Sequence, residues 1–128
     1  MTISKGTDLV RARHRVRRHA GEIGIEADEV LKLETATSEL AQNMLSHAGG
    51  GMVKIEQIAS ERRTGIRVTF QDDGPGIPDI TLALKDGYTT NQGLGLGLPG
   101  ARRLVDDFKI DSKIGRGTRI LITQWMND

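Results

Sequence analysis

The sequence predicts an α+β fold, a two-layer sandwich in which helices cover one face of a mostly antiparallel sheet. Two amphipathic helical segments come early in the chain, and two pairs of short strands follow, each pair joined by a tight turn. One more helix separates the two pairs. Strands that follow each other through a short turn pair antiparallel. The length suits one hydrophobic core, so residues 1–128 are predicted to form a single domain.

The first predicted elements are a short strand at 2–5 and a helix that Thr7 or Asp8 caps. The helix runs to about Ile23 and has a periodic apolar stripe, formed by Ala12, Val16, Ala20 and Ile23. Its arginines Arg11, Arg15 and Arg18 share another face. That face is predicted to be either a solvated surface or a surface that docks a protein.

A second helix is predicted from Asp28 to His47, with acidic residues in its first turn that complement the helix dipole. The glycines at 49–51 end it. Its apolar stripe is formed by Val30, Leu33, Leu40, Met44 and Leu45.

The remaining elements are two hairpins and a helix. Strands at 52–58 and 65–71 are predicted to be joined by a turn at 61–65, and strands at 108–114 and 117–125 by Gly115-Arg116-Gly117. The helix between them spans 98–108, with Pro99 tolerated in its first turn.

Composition excludes several classes of protein. The net charge is only +1 and there are four aromatic residues, so we expect no nucleic-acid partner. There is no cysteine, which excludes disulfides, thiolate zinc sites and cysteine nucleophiles. The first residues contain no apolar signal core and no run approaches membrane-spanning length, so we expect no membrane association and a cytoplasmic location.

Glycine is the unusual feature of the composition. The chain has sixteen, more than the usual share of roughly 7%. They cluster at 49–51, 74–76, 87–100 and 115–117. Such clusters are typical of turns where the backbone closely approaches another group, although loop punctuation is the alternative.

Three segments carry possible chemistry. In the second helix, Glu39 and Asn43 are four residues apart and project from one side. Taken alone, this pair is more typical of an ordinary helix edge. After an apolar strand, Asp72 precedes a sharp turn that contains Gly74 and Gly76. This arrangement could place a carboxylate at the rim of a site, but it is equally typical of an ordinary polar turn at the end of a strand.

The third segment runs from Gly93 to Gly100 and leads into a helix. Backbone amides freed by glycine at a helix N-terminus bind phosphate. Its G-x-G-x-x-G does not indicate a dinucleotide fold, because no strand directly precedes it and no acidic residue lies about twenty positions later. The chain also has no G-x-x-x-x-G-K-[ST] phosphate loop.

In this order, E-x-x-x-N, D-x-G-x-G and G-x-G-x-G resemble the N, G1 and G2 boxes of the GHKL ATPase superfamily, whose ATP-binding domain has the Bergerat fold. Within it the chain is most similar to the RsbT-type serine/threonine switch kinases of the bacterial stressosome. That similarity rests on 38–43, 74–80, 86–100 and Arg103-Leu104.

The resemblance implies ATP and Mg²⁺ as cofactors and assigns roles to named residues. Glu39 would be the general base, Asn43 the magnesium ligand, and Asp72 the acceptor for the adenine amino group. The glycines of the turn and of the phosphate segment would contact the nucleotide with Thr118; the predicted binding residues are Asn43, Asp72, Gly74, Gly76, Gly93, Leu94, Gly95, Leu96, Gly97 and Thr118. Lys85, Arg102 and Arg103 are alternative partners for the phosphate charge, and Arg13 matches a docking residue.

The resemblance also implies a function in stress-response signalling. Relatives phosphorylate Ser or Thr on STAS-domain scaffold and antagonist proteins and, once released, activate a PP2C-type phosphatase by partner switching. Two alternatives stay open: an anti-sigma factor serine kinase, and a nucleotide-gated binding module without phosphotransfer. A histidine kinase is disfavoured because His14 lacks the usual following acid.

Overall fold

A computed structural model describes residues 1–77, 84 and 97–126. The described residues form a five-stranded antiparallel sheet in the order β1-β2-β3-β5-β4, with three helices on one face. This confirms the predicted α+β fold. The elements are β1 Thr2–Ile3, α1 Thr7–Ile23, α2 Ala27–Ala48, β2 Gly51–Ser60, β3 Arg63–Asp72, α3 Gly97–Leu104, β4 Asp107–Lys113 and β5 Gly117–Trp125.

Strand β1 and helix α1 meet in a way that the sequence did not predict. The cap position is Gly6, and neither Thr7 nor Asp8 caps the helix. The Asp8 carboxylate instead accepts hydrogen bonds from the backbone amides of Ser4, at 2.9 Å, and Lys5, at 3.2 Å. Because the Ser4 amide is used in this way, β1 ends at Ile3, two residues before the predicted end.

Helices α1 and α2 bury most of the stripes that were predicted for them, but Ile23 and Leu45 are only half-buried. Ala12, Val16 and Ala20 of α1 are fully buried, as are Leu33 and Leu40 of α2. Burying a leucine side chain stabilises a fold by about 1.5–3 kcal/mol.

An ion pair joins the two helices, since Arg17 Nε lies 2.5 Å from Glu34 Oε1. Helix α2 ends where Gly49 adopts a left-handed φ of 74°, as the glycine run predicted.

The sheet forms the other half of the core. Its inward residues alternate along the strands, and Phe70 is paired with Val53 on one side and Ile120 on the other. Val68 and Ile122 are fully buried beside them. Charged side chains occupy the opposite face, as expected for a sheet that is covered on one side only.

The first hairpin turn and the end of helix α3 differ from their predicted boundaries. The first turn has only two residues, Glu61 and Arg62, and Glu61 takes a φ of 48°. Helix α3 ends at Leu104, four residues earlier than predicted. The cause is the Asp106 amide, which donates to Thr123 O at 3.1 Å and to the Gln124 side chain at 2.9 Å, so strand pairing begins there.

Within the described ranges, no helix is long and apolar enough to cross a membrane.

Candidate nucleotide site

Glu39 lies beside the start of α3. Its carboxylate Oε2 accepts a hydrogen bond of 3.4 Å from the amide of Gly97, and the Glu39 side chain is half-buried on α2. Gly97 has a φ of 63°, a conformation that glycine adopts without a steric penalty. A carboxylate at a helix N-terminus also faces the positive end of the helix dipole. The structure therefore places the predicted general base beside Gly97, within the predicted phosphate-binding segment.

Asn43 lies one helical turn after Glu39, on the same side of α2. The Asn43 side chain is half-buried. It has no hydrogen-bond partner in the described part of the chain, so its amide oxygen is available to a ligand.

Asp72 is the last residue of β3 and is bonded to backbone amides. Its Oδ1 accepts from Gly74 N at 2.9 Å and from Thr118 N at 3.3 Å. Asp72 and Thr118 are directly paired across β3 and β5. The sheet register therefore brings together two residues that are 46 positions apart in the sequence.

The glycine turn after Asp72 packs tightly against neighbouring backbone. A Cβ at Gly74 would lie 2.5 Å from Ala48 Cβ, at the end of α2. Gly76 has a φ of 81°, and a Cβ there would collide with Lys113 O. Glycine is thus required at both positions, as the prediction of a close backbone approach implied.

A hydrogen-bond network connects this turn to the β4–β5 hairpin. Ser112 Oγ accepts from Ile77 N at 2.7 Å and lies 2.8 Å from Thr118 Oγ1. A backbone bond of 2.9 Å from Gly115 N to Pro75 O runs alongside. The turn and the hairpin therefore form one connected structure around Asp72.

Helix α2 links the two parts of the site. Glu39 contacts α3, whereas Ala48 at the end of the same helix contacts the Gly74 turn. They are nine positions apart, which corresponds to about 13 Å along an α-helix. Asn43 lies between the two contacts.

The described structure does not place every predicted site residue with Glu39, Asn43 and Asp72. Lys85, Gly93, Leu94, Gly95 and Leu96 lie outside the described residues. Arg13 is exposed on α1, and the structure shows no contact between it and the residues above. Arg102 and Arg103 are exposed in the last turn of α3, at the opposite end of that helix from Glu39.

A cavity of about 720 Å³ lies on the other face of the sheet. Its walls include Arg15, Lys54, Arg67, Thr69 and Arg119. None of the predicted nucleotide-binding residues lines it. Glu39, Asn43 and Asp72 therefore lie apart from this cavity, on the α2 side of the sheet.

Comparison with known proteins decides the family. The profile of the histidine kinase-, DNA gyrase B- and HSP90-like ATPases matches residues 28–127. This chain belongs to that family. The predicted GHKL membership is confirmed, and the matched range includes all the predicted nucleotide-binding residues.

Relatives with known names support a finer grouping within this ATPase family. The chain is 43% identical over 119 residues to "Serine/threonine-protein kinase RsbT" of Bacillus subtilis, covering 93% of this chain and 90% of the relative. It is 29% identical over 131 residues to "Anti-sigma F factor" of Clostridium kluyveri, covering 98% and 91%. The similarity to RsbT, together with the ATPase family, confirms the predicted resemblance to RsbT-type kinases and the predicted enzyme class, an ATP-dependent protein kinase.

Solved structures of the family share the fold. The mycobacterial sensor histidine kinase MprB matches with a TM-score of 0.61 at 22% identity, covering 98% of this chain and 96% of that chain. The catalytic domain of histidine kinase ThkA matches with a TM-score of 0.60 at 19% identity, covering 97% and 93%. At such identities the likeness shows the ATPase-domain fold alone.

Sequence reasoning missed Ser112 and Ala48. Ala48 is unremarkable in the sequence, because only the fold brings it against Gly74. Ser112 did carry a signal. It lies six residues before Thr118, across a predicted tight turn, and this spacing makes the two residues pair in the hairpin.

Proposed function

We propose that this chain uses Mg-ATP to phosphorylate a serine or threonine hydroxyl on STAS-domain regulators in the cytoplasm. The observation that carries the proposal is the convergence on α2: the Glu39 carboxylate lies at the glycine-led start of α3, with Asn43 next to it and Asp72 at the far end. These are the residue types that nucleotide recognition and hydroxyl activation require.

Base recognition is assigned to Asp72. Its Oδ1 holds the two backbone amides, and Oδ2 has no hydrogen-bond partner within the described residues. Oδ2 is thus available to accept a hydrogen bond from the adenine amino group. Guanine carries an oxygen acceptor at that position, so the carboxylate favours ATP over GTP.

Asn43 fits the metal that the family implies. No cluster of three or more acidic or histidine side chains that could hold a metal occurs among the described residues. Mg²⁺ bound to nucleotide takes most of its ligands from phosphates and water and needs one or two from the protein. The amide oxygen of Asn43 could supply one of them, and the ion would neutralise phosphate charge.

Glu39 is assigned the proton transfer. Its carboxylate would take the proton from the partner's hydroxyl as that oxygen attacks the γ-phosphorus and the bond to ADP breaks. The Gly97 amide, 3.4 Å away, would hold the carboxylate in orientation. A positioned general base contributes about 10²–10⁴-fold to a rate.

The partners are proposed from the resemblance. One relative is named a serine/threonine-protein kinase, and RsbT-type kinases act on STAS-domain scaffold and antagonist proteins. After release, the chain would activate a PP2C-type phosphatase by partner switching in a stress response. Relatives named anti-sigma F factor favour a second candidate, an anti-sigma factor serine kinase, at lower identity.

The test is phosphotransfer from labelled ATP to a purified STAS-domain protein, with Glu39→Gln beside the wild type. We expect the variant to bind ATP within about threefold of wild type and to lose about 10²–10⁴ in transfer rate. Glu26→Gln, at an exposed position before α2, is the matched control and should behave as wild type.

Each other outcome contradicts a specific part of the proposal. Equal loss of affinity and rate in Glu39→Gln would remove the assignment of a base. ATP binding by wild type without transfer to any STAS protein would favour the binding module. If the chain captures a sigma factor and also transfers phosphate to a protein that opposes this capture, the anti-sigma kinase is favoured.

A further inference from the structure

Ser112 lies at the centre of the hydrogen-bond network next to Asp72, the residue proposed to bind the base. It is a half-buried residue of β4 that pairs with Thr118 of β5. Its hydroxyl has three contacts: Ile77 N at 2.7 Å, Thr118 Oγ1 at 2.8 Å and Gly117 O at 3.2 Å. One side chain therefore bonds to the glycine turn, the hairpin and the Thr118 hydroxyl.

The donors and acceptors of this network can be counted. A serine hydroxyl has one proton and two lone pairs. Ile77 N–H occupies one lone pair, and Gly117 O is an acceptor for the proton. The arrangement that uses every contact has the Thr118 hydroxyl donating to the second lone pair of Ser112. The lone pairs of Thr118 then remain for a ligand, which binds directly or through water.

The residues that Ser112 holds also fix the position of Asp72. Thr118 N donates to Asp72 Oδ1, and Gly74 N donates to the same oxygen. Ser112 bonds both to Ile77, at the end of the turn that follows Asp72, and to Thr118 of β5. Loss of its hydroxyl would release the turn and let the Thr118 hydroxyl rotate.

We propose that Ser112 is a positioning residue of the nucleotide site, which orients the Thr118 hydroxyl as an acceptor and fixes the 74–77 turn beside Asp72. This inference rests on the proposed function, since it takes Asp72 and Thr118 to bind the base. Ser112 itself contacts no reacting atom, so its removal should change nucleotide affinity and not the rate at saturating ATP.

The experiment measures the Kd for ATP in wild type, Ser112→Ala, Thr118→Val and the double variant. We expect Ser112→Ala to raise Kd about fivefold, the usual effect of losing one hydrogen bond, with kcat unchanged. In the Thr118→Val background only the effect through the 74–77 turn remains, so the same substitution should raise Kd by a clearly smaller factor, about twofold. Ser60→Ala, at the exposed end of β2, is the matched control and should leave Kd unchanged.

The coupling between the two substitutions separates positioning from mere stability. A serine that only stabilised the hairpin would lower the melting temperature but would change Kd by the same factor in both backgrounds. That result, or an unchanged Kd in Ser112→Ala, would overturn the inference. If the alanine variant does not fold, Ser112→Cys replaces it with the same thresholds, because a thiol is a poor hydrogen-bonding group of similar size.

Failure of the proposed function would look different. A wild-type chain that binds no ATP would refute the nucleotide site itself. Normal wild-type binding with no coupling between positions 112 and 118 would refute only the role of Ser112.

Discussion

The packing of Gly74 against the end of α2 gives the sharpest test of how the site is built. In Gly74→Ala, the new Cβ would lie 2.5 Å from Ala48 Cβ and 3.0 Å from Ala48 Cα. Carbon atoms in contact are normally about 3.5–4.0 Å apart. Because both neighbours belong to the last residue of a helix and not to the end of a flexible side chain, the turn itself has to move by roughly 1 Å.

This displacement has two measurable consequences. Overpacking of this kind costs about 1–3 kcal/mol, so the free energy of unfolding should fall by that amount. The movement also pulls Gly74 N away from Asp72 Oδ1, now 2.9 Å apart. With this bond weakened, Asp72 is less well fixed for the base, and we expect the Kd for ATP to rise about five- to tenfold.

Urea unfolding gives the first quantity and ATP titration gives the second. Gly21→Ala is the matched control, because Gly21 is an exposed residue within α1 with nothing within 4 Å of the added methyl. It should stabilise the fold by about 0.5–1 kcal/mol and leave Kd unchanged. If Gly74→Ala stays within about 0.5 kcal/mol of wild type and binds ATP equally well, the close packing has no functional role.

Three further substitutions test separate contacts. Asn43→Ala should raise the Kd for Mg-ATP by at least the roughly tenfold typical of disturbed metal sites, with a smaller change for nucleotide without Mg²⁺ in a titration. Asp72→Asn can keep the Oδ1 bonds but would present an amide donor to the base, so competition binding should show a smaller ATP preference over GTP; an unchanged preference would contradict base recognition by Asp72. Asp8 is expected to contribute acid-sensitive stability: hydrogen bonds from Ser4 and Lys5 lower its pKa below the ordinary 3.8, so its contribution is present above that pH and is lost as the pH falls through the folded-state value. The difference in urea unfolding between wild type and Asp8→Ala should therefore be full at pH 7 and shrink as the pH falls below 3.8, and a constant difference would refute the assignment.

Local patterns predicted the parts of the fold that depend on local physics. The apolar stripe of α2 follows from helical periodicity, and burial of Leu33, Leu40 and Met44 agrees with it. The same periodicity placed Glu39 and Asn43 on one side of the helix. The turn at Gly115-Arg116-Gly117 was predicted because glycine in a short connection between strands is a strong hairpin signal.

The errors arise where other hydrogen bonds compete with a local helical signal. The sequence after Leu104 fits a helix, but Asp106 and Phe108 pair with β5 instead, so strand hydrogen bonds take the place of another helical turn. Asp8 looked like a helix cap, yet its carboxylate bonds to the chain before the helix. At Asp106 a tertiary contact overrides the local helical preference, whereas at Asp8 a second local arrangement, with amides three and four positions earlier, takes the place of the cap.

The two ends of the site are held by different amounts of structure, which predicts how mutations will divide between binding and rate. At the base end, Asp72 Oδ1 accepts two amides, Ser112 makes three contacts, and two glycines permit close backbone packing. At the other end, the described residues give the Glu39 carboxylate one hydrogen bond, of 3.4 Å, which is near the upper limit of such bonds. A weakly held carboxylate can leave the Gly97 amide to meet a hydroxyl, whereas a firmly held one at Asp72 recognises the base at little reorganisation cost. Changes at 72, 74, 112 and 118 should therefore appear mainly in ATP affinity, and changes at Glu39 mainly in the rate of transfer.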